Sequence, residues 1–185
     1  AGDSVLVVGC GGDGMNVVQG AKLCGATTII AADIAPLKRE MAREFGATHV
    51  TEAQDDALIA FAQSLTEGRG VDHALVCIDP PNTLLAAFRA TAKAGNVVVT
   101  GLSAASETKL PIPPLELVTS QKAIMGAVYG YASPRVQIPE LLAMYETGAL
   151  KLRELITRRY RLDQINDGYA DMIAGRNLRG VIVFE

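Results

Sequence analysis

The stretch Ser4-Val5-Leu6-Val7-Val8-Gly9-Cys10-Gly11-Gly12-Asp13-Gly14 runs from an unbroken apolar segment into a G-x-G-x-x-G turn and on into a helical pattern. A buried strand of this kind delivers the chain to a turn so tight that Gly9 must supply the backbone angle. Gly11 admits close approach of a pyrophosphate, and Gly14 lets the following helix pack on the sheet. The helix N-terminus offers free N–H groups to the diphosphate. Asp33 stands nineteen residues after Gly14, at the end of the next apolar run, where a carboxylate accepts hydrogen bonds from an adenosine ribose. An acid there repels a 2′-phosphate, so the pattern prefers NAD to NADP. The plainer alternatives are a tight turn without a ligand and an aspartate that merely ends a strand.

Outward from this motif the pattern alternates. Val17, Val18 and Ala21 recur at helical spacing before Gly25, and Thr28–Asp33 is an apolar run of strand length. Pro36 opens a helix with Leu37, Met41, Ala42 and Phe45 on its inner stripe and Gly46 behind it. A short strand at His49–Thr51, a helix over 56–66 and a strand over 71–78 follow. Next come a helix N-capped by Asn82 and a strand over 96–100. Residues 103–114 are polar and proline-rich and read as a loop, and 123–128 read as the strand that closes the sheet. Such alternation demands a parallel sheet with helices on both faces, and right-handed crossovers make it a doubly wound, six-stranded α/β sheet.

From Ser133 the order becomes helix (136–147), strand (156–160), helix (162–174) and strand (180–184), a C-terminal α/β extension with a hairpin-like strand order. The expected division is therefore 1–132 for the doubly wound domain and 133–185 for the extension.

Composition narrows the function classes. Of the 185 residues 49% are apolar and 20% charged, which excludes disorder, and the net charge of −3 advertises neither a nucleic-acid nor a membrane surface. No apolar run approaches bilayer-spanning length and no signal pattern opens the chain, so the expectation is a cytoplasmic protein. Cys10, Cys24 and Cys77 are isolated thiols, with neither a disulfide framework nor a cysteine zinc motif. Ala1-Gly2-Asp3-Ser4 enters a core strand so abruptly that the chain reads as a segment of a longer protein.

Single residues carry competing readings. Lys38 is within reach of the same ribose as Asp33, with a solvated lysine as the alternative. Cys10, in the phosphate turn, is either a thiol activated by the helix N-terminus or a small buried side chain. His49 and His73 have no ligand cluster around them and read as structural. Asp13 stabilises a helix N-terminus, yet it sets like charge beside a bound diphosphate. No Ser-His-Asp arrangement or carboxylate pair stands out.

The segments Gly9-Cys-Gly-Gly-Asp-Gly14, Ile30-Ala-Ala-Asp33, Phe45-Gly-Ala-Thr-His49, Gly70-Val-Asp72, Gly95-Asn-Val-Val-Val-Thr-Gly101, Gly126-Ala-Val-Tyr-Gly130 and Arg179-Gly-Val-Ile-Val-Phe184 follow in the order of one family. Over essentially its whole length the chain resembles the cofactor-binding (Rossmann) part of zinc-type medium-chain alcohol dehydrogenases, including the glutathione-dependent formaldehyde dehydrogenase branch. The resemblance implies hydride transfer with NAD in the complete protein. It gives Gly9, Gly11 and Gly12 to the pyrophosphate, Asp33 and Lys38 to the adenosine ribose, and Ile78 to the adenine side. Thr100, Gly101 and Leu102, with Ala127, Val128 and Tyr129, match segments that hold the nicotinamide, and Arg179 matches an arginine that reaches back to the pyrophosphate.

Two departures accompany it. Asp13 stands where the family usually has an apolar residue packed on the nicotinamide. The Cys and His ligands of the catalytic zinc belong to an N-terminal, GroES-like domain and have no counterpart here, so this chain is expected to hold no zinc and to be inactive alone. Residues 133–185 resemble the segment that returns to support that domain. The family also pairs the strand near 123–128 across a dimer, which makes a homodimer the expectation. An S-adenosylmethionine-dependent methyltransferase uses a similar glycine turn and acid; the third glycine and the terminal strand order disfavour it. A non-catalytic nucleotide-binding module is the remaining alternative, kept open by Asp13.

Overall fold

Strand β1 (Ser4–Val8) is buried along its whole length, and its alternating side chains feed two separate cores. Leu6 and Val8 pack with Leu58, Ala62, Leu84 and Phe88 of helices α3 (Asp55–Ser64) and α4 (Pro81–Ala90). Val5 and Val7 pack with Met15, Val18, Ala42 and Phe45 of α1 (Gly12–Leu23) and α2 (Pro36–Phe45). A strand covered on both faces must be apolar at every position, which is why this segment is a continuous apolar run. Phe45 and Phe88 are the largest fully buried side chains, one in each core, and truncating either to alanine is expected to cost about 3–5 kcal/mol.

The structure is a computed structural model and describes residues 1–78, 81–106 and 109–184. Strands β2 (Thr28–Ala32), β3 (His49–Thr51), β4 (Val71–Val76), β5 (Thr91–Val99) and β6 (Ala123–Gly126) complete a sheet of order β3-β2-β1-β4-β5-β6, with every neighbouring pair parallel. The chain winds outward from β1 in one direction, then crosses over and winds outward from β4 in the other. The carboxyl ends of β1 and β4 therefore flank the crevice where the winding reverses, the place at which such sheets bind ligands.

Several expectations are corrected. The strand read over 96–100 begins at Thr91; its first half pairs with β4 through a bulge opposite Val71 and His73, and Lys93 and Gly95 hide the strand pattern there. Helix α5 (Pro114–Ser120) begins at the proline that closes the expected loop, because a proline in the first helical turn forfeits no hydrogen bond. Beside it, Ile112 and Leu117 pack on the core under α3 and α4. After a 3-10 turn at Tyr129–Tyr131 and helix α6 (Pro134–Glu146), the helix expected over 162–174 divides into a 3-10 turn, Leu162–Gln164, and α7 (Ile165–Ile173). Strands β7 (Ile156–Arg161) and β8 (Arg179–Val183) form no hairpin: they are parallel, in a two-stranded sheet of their own, with α7 as the crossover between them. The capping role expected of Asn82 rests on a side chain outside the described residues.

The C-terminal elements are fastened to the larger sheet. Leu152, Leu155 and Leu178 join the core under α1 and α2. Gln19, buried on α1, donates from Nε2 to the Lys151 carbonyl at 3.0 Å and accepts the Lys151 N–H at 2.9 Å. Further out, Asp171 accepts Arg176 at 2.7 Å, Tyr160 at 2.8 Å and Arg158 at 2.9 Å, which ties α7 to β7. Among the described residues no helix is long and apolar enough to cross a membrane.

Candidate functional site

Gly9 leaves β1 with a φ of +89°, and a side chain there would collide with Ile78. A Cβ on Gly14 would collide with the Gly9 carbonyl, so α1 packs against the turn only with glycine at that place. At Gly12 an added Cβ would lie 2.7 Å from Arg179 Nη2. Gly11 differs from all three. It adopts ordinary extended angles (φ −71°, ψ −164°), and a Cβ on it would meet nothing within 4 Å. No internal contact requires glycine at this position; what its bare backbone preserves is open space in front of α1. No side chain caps that helix, so the N–H groups of its first turn are available to a ligand.

Asp33 follows β2 on one side of this turn. Its Oδ2 accepts the Cys10 N–H and its Oδ1 the Ala35 N–H, both at 2.8 Å. The carboxylate is thus aimed in advance, and each oxygen retains a second lone pair. Arg39 braces the same turn, donating to the carbonyls of Asp33 and Ile34 at 2.9 Å and pairing with Glu52 at 2.9 Å. A cavity of about 330 Å³ opens here, bounded by Gly9, Asp33, Lys38 and Ile78 and also by Glu52, Gln54 and Thr83. The last three escaped the sequence reading, because they lie on the turn after β3 and the start of α4, where no residue pattern marks them.

A second cavity, about 450 Å³, lies on the other side of the turn between Gly11, Gly12, Asp13 and Cys77 and the C-terminal residues Tyr160, Tyr169, Asn177 and Arg179. Arg179, at the start of β8, reaches back so that its Nη2 lies 4.0 Å from Asp13 Oδ1, with side chains 50% and 79% exposed. At that separation and exposure the pair contributes little to stability.

Residues 100–102 and 127–129 follow the carboxyl ends of β5 and β6, on the same edge of the sheet as the glycine turn. Thr100 and Gly101 donate to the Val76 carbonyl at 3.0 and 3.2 Å, and Ala127 donates to Val99 at 2.9 Å. Leu102, Val128 and Tyr129 are exposed and line neither cavity. The fold therefore gathers Gly9, Asp33, Lys38 and Ile78 in one cavity and Gly11, Gly12, Asp13 and Arg179 in the other, and leaves residues 100–102 and 127–129 along the edge.

Cys10 is fully buried, its Sγ 3.7 Å from the Ala32 carbonyl. Burial above all, then the Asp33 charge, pushes its thiol up to about 12, which excludes the activated-thiol reading. The Cys77 thiol is also raised, mainly by burial, with a hydrogen bond to Thr100 opposing and the Asp13 charge adding. His49 lies 2.9 Å from Thr48 Oγ1, and His73 2.9 Å from Asp3 Oδ2. Among the described residues no three His, Cys, Asp or Glu side chains come together to hold a metal ion.

Residues 12–147 match the family described as zinc-binding dehydrogenase. The chain is 40% identical to the NDMA-dependent alcohol dehydrogenase of Amycolatopsis methanolica, over 99% of this chain and 50% of that protein. It is 35% identical to the S-(hydroxymethyl)glutathione dehydrogenase of Saccharomyces cerevisiae, over 98% and 48%. It superposes on the crystal structure of benzyl alcohol dehydrogenase from Acinetobacter calcoaceticus with a TM-score of 0.91 at 32% identity, covering 100% of this chain and 50% of that one. A zinc-binding dehydrogenase from Sinorhizobium meliloti 1021, solved bound to NADP, gives a TM-score of 0.85 at 28% identity, over 100% and 53%. The chain thus spans about half the length of the curated relatives it matches. These matches weigh against the methyltransferase alternative; the terminal strand order, which is parallel, does not.

Proposed function

We propose that this chain, which belongs to the zinc-binding dehydrogenase family, is the part of such an enzyme that binds a nicotinamide dinucleotide, NAD in preference to NADP. The observation that carries the reading is Gly11. No neighbouring atom requires glycine there, yet it leaves bare backbone at the start of α1, which no side chain caps, beside a carboxylate already aimed. In this reading the turn at Gly9, Gly11 and Gly12 and the first N–H groups of α1 hold the diphosphate, while Gly14 keeps α1 close. Asp33 and Lys38 take the adenosine ribose, and Ile78 flanks the adenine. Arg179 closes on the diphosphate with its guanidinium fork. The backbone at Thr100, Gly101, Leu102, Ala127, Val128 and Tyr129 meets the second nucleoside at the ends of β5 and β6.

A bound nicotinamide ring supplies the hydride acceptor or donor; the residues of this chain bind and orient it. In the complete enzyme the reaction is hydride transfer between an alcohol or aldehyde-derived substrate and NAD. Substrate and zinc are held by a GroES-like portion that precedes these residues, so the chain alone binds nucleotide without turnover. A homodimer paired along the β6 edge goes with this reading, supported by the position of β6 at the margin of the sheet and the partly exposed Met125 on it. A cytoplasmic location goes with it as well, supported by three unpaired cysteines.

Competition for bound NADH tests the proposal. NAD should displace it, NADPH should do so much more weakly, and S-adenosylmethionine should not. Displacement by S-adenosylmethionine, or equal potency of NADPH, would contradict the reading.

A further inference from the structure

The nucleotide reading leaves Asp13 without a purpose, because a carboxylate beside a diphosphate repels it. Its surroundings show where its charge is directed. Asp13 borders the cavity that holds Cys77 and Arg179, not the one that holds Asp33, Lys38 and Ile78. Cys77, which lines that cavity with Asp13, directly follows β4, and the Thr100 N–H, directly after β5, bonds to the last carbonyl of β4. Asp13 therefore borders the cavity that reaches the carboxyl end of β4, beside that of β5. A dinucleotide whose diphosphate lies on α1 and whose adenosine lies at Asp33 must send its other nucleoside across the switch point, toward those same strand ends. The ion pair of Asp13 with Arg179 is long, at 4.0 Å and exposed, and a guanidinium drawn onto the diphosphate frees the carboxylate for whatever lies beyond.

We infer that Asp13 makes the site selective for the oxidised dinucleotide: its carboxylate favours the positively charged nicotinamide ring of NAD⁺ over the uncharged ring of NADH. This rests on the dinucleotide reading above. Repulsion between Asp13 and the diphosphate is the same in both redox forms and cancels in their ratio. The ring charge does not cancel. Even in water, opposite unit charges about 4 Å apart are worth about fivefold in affinity, and a drier site enlarges the effect.

The test is calorimetric titration of the full chain and its Asp13→Asn and Asp13→Glu variants with NAD⁺, NADH and ADP-ribose. ADP-ribose carries the same diphosphate without the ring and so reports the common repulsion. The expected result is an affinity ratio of NAD⁺ to NADH that falls about fivefold or more in Asp13→Asn and is kept in Asp13→Glu. ADP-ribose should bind Asp13→Asn at least as tightly as the parent. An unchanged ratio in Asp13→Asn, with all three ligands bound, would overturn the inference and leave the dinucleotide site standing. If none of the three bound the parent chain, the dinucleotide reading itself would fall, and this inference with it.

Discussion

The Oδ2 atom of Asp33 accepts the N–H of Cys10 at 2.8 Å, so the carboxylate that follows β2 is bonded directly to the glycine turn that follows β1. Its second oxygen takes the N–H of Ala35, also at 2.8 Å. One side chain thereby fixes the spacing between the segments that follow β1 and β2, and each of its oxygens keeps a free lone pair.

Replacing Asp33 should therefore affect both binding and stability. Asp33→Ala is expected to weaken NADH binding by at least about tenfold, the scale of one hydrogen bond to a charged group. It should also lower the melting temperature, because two backbone donors lose their acceptor. Asp33→Asn removes the charge and should raise the affinity for NADPH relative to NADH. Fluorescence titration with both nucleotides checks this; a constant ratio would mean that the charge of Asp33 does not select between them.

The thiols should separate by burial. With a disulfide reagent at mildly alkaline pH the exposed Cys24 should react first, and Cys10 only as fast as the fold opens. The fold keeps the Cys10 thiol neutral and raises it from 9.0 to about 12, so its contribution to stability is whole below the unfolded value. It is lost as pH rises between those two values. Replacing Cys10 with serine should flatten the alkaline fall in melting temperature while leaving the neutral region sloped as before.

Asp171 gives the opposite pH signature. Hydrogen bonds from Arg176 first, then Tyr160, hold its carboxyl below the ordinary carboxylate value. Its contribution is present above that ordinary value, about pH 4, and disappears as pH falls through the lower folded one. Asp171→Asn should lower the melting temperature at neutral pH and reduce its acid sensitivity. An unaltered acid limb, measured by thermal melts followed by circular dichroism, would assign the acid loss to other carboxylates.

The sheet was legible in the sequence because burial on both faces turns each central strand into an uninterrupted apolar run, as at Val5 to Val8 and Thr28 to Ala32. The glycine turn was legible because steric demand restricts Gly9 and Gly14 to one residue type. Less visible were features set by position in space. The bulge that starts β5 at Thr91 is masked by Lys93 and Gly95, and the helix at Pro114 is hidden by the prolines around it. Strand direction at β7 and β8 depends on α7 crossing back, a tertiary fact that local pattern does not carry. In the candidate site, the sequence marks Asp33 by its distance from the glycine turn, but its two backbone hydrogen bonds and the contribution of Glu52, Gln54 and Thr83 to the same cavity depend on how the fold brings separate segments together.

Gly11→Ala tests the central claim most directly, because the new methyl group meets no protein atom within 4 Å and the backbone there suits alanine. The measurement is an NADH fluorescence titration of the parent and the variant, paired with their thermal melts. The predicted result is saturable binding by the parent, about tenfold or greater weakening in the variant, and a melting temperature lowered only slightly, since alanine is a poorer helix N-cap than glycine. Equal NADH affinity in the two proteins, or no saturable binding by the parent at millimolar NADH, would contradict the claim that the space above Gly11 belongs to a dinucleotide.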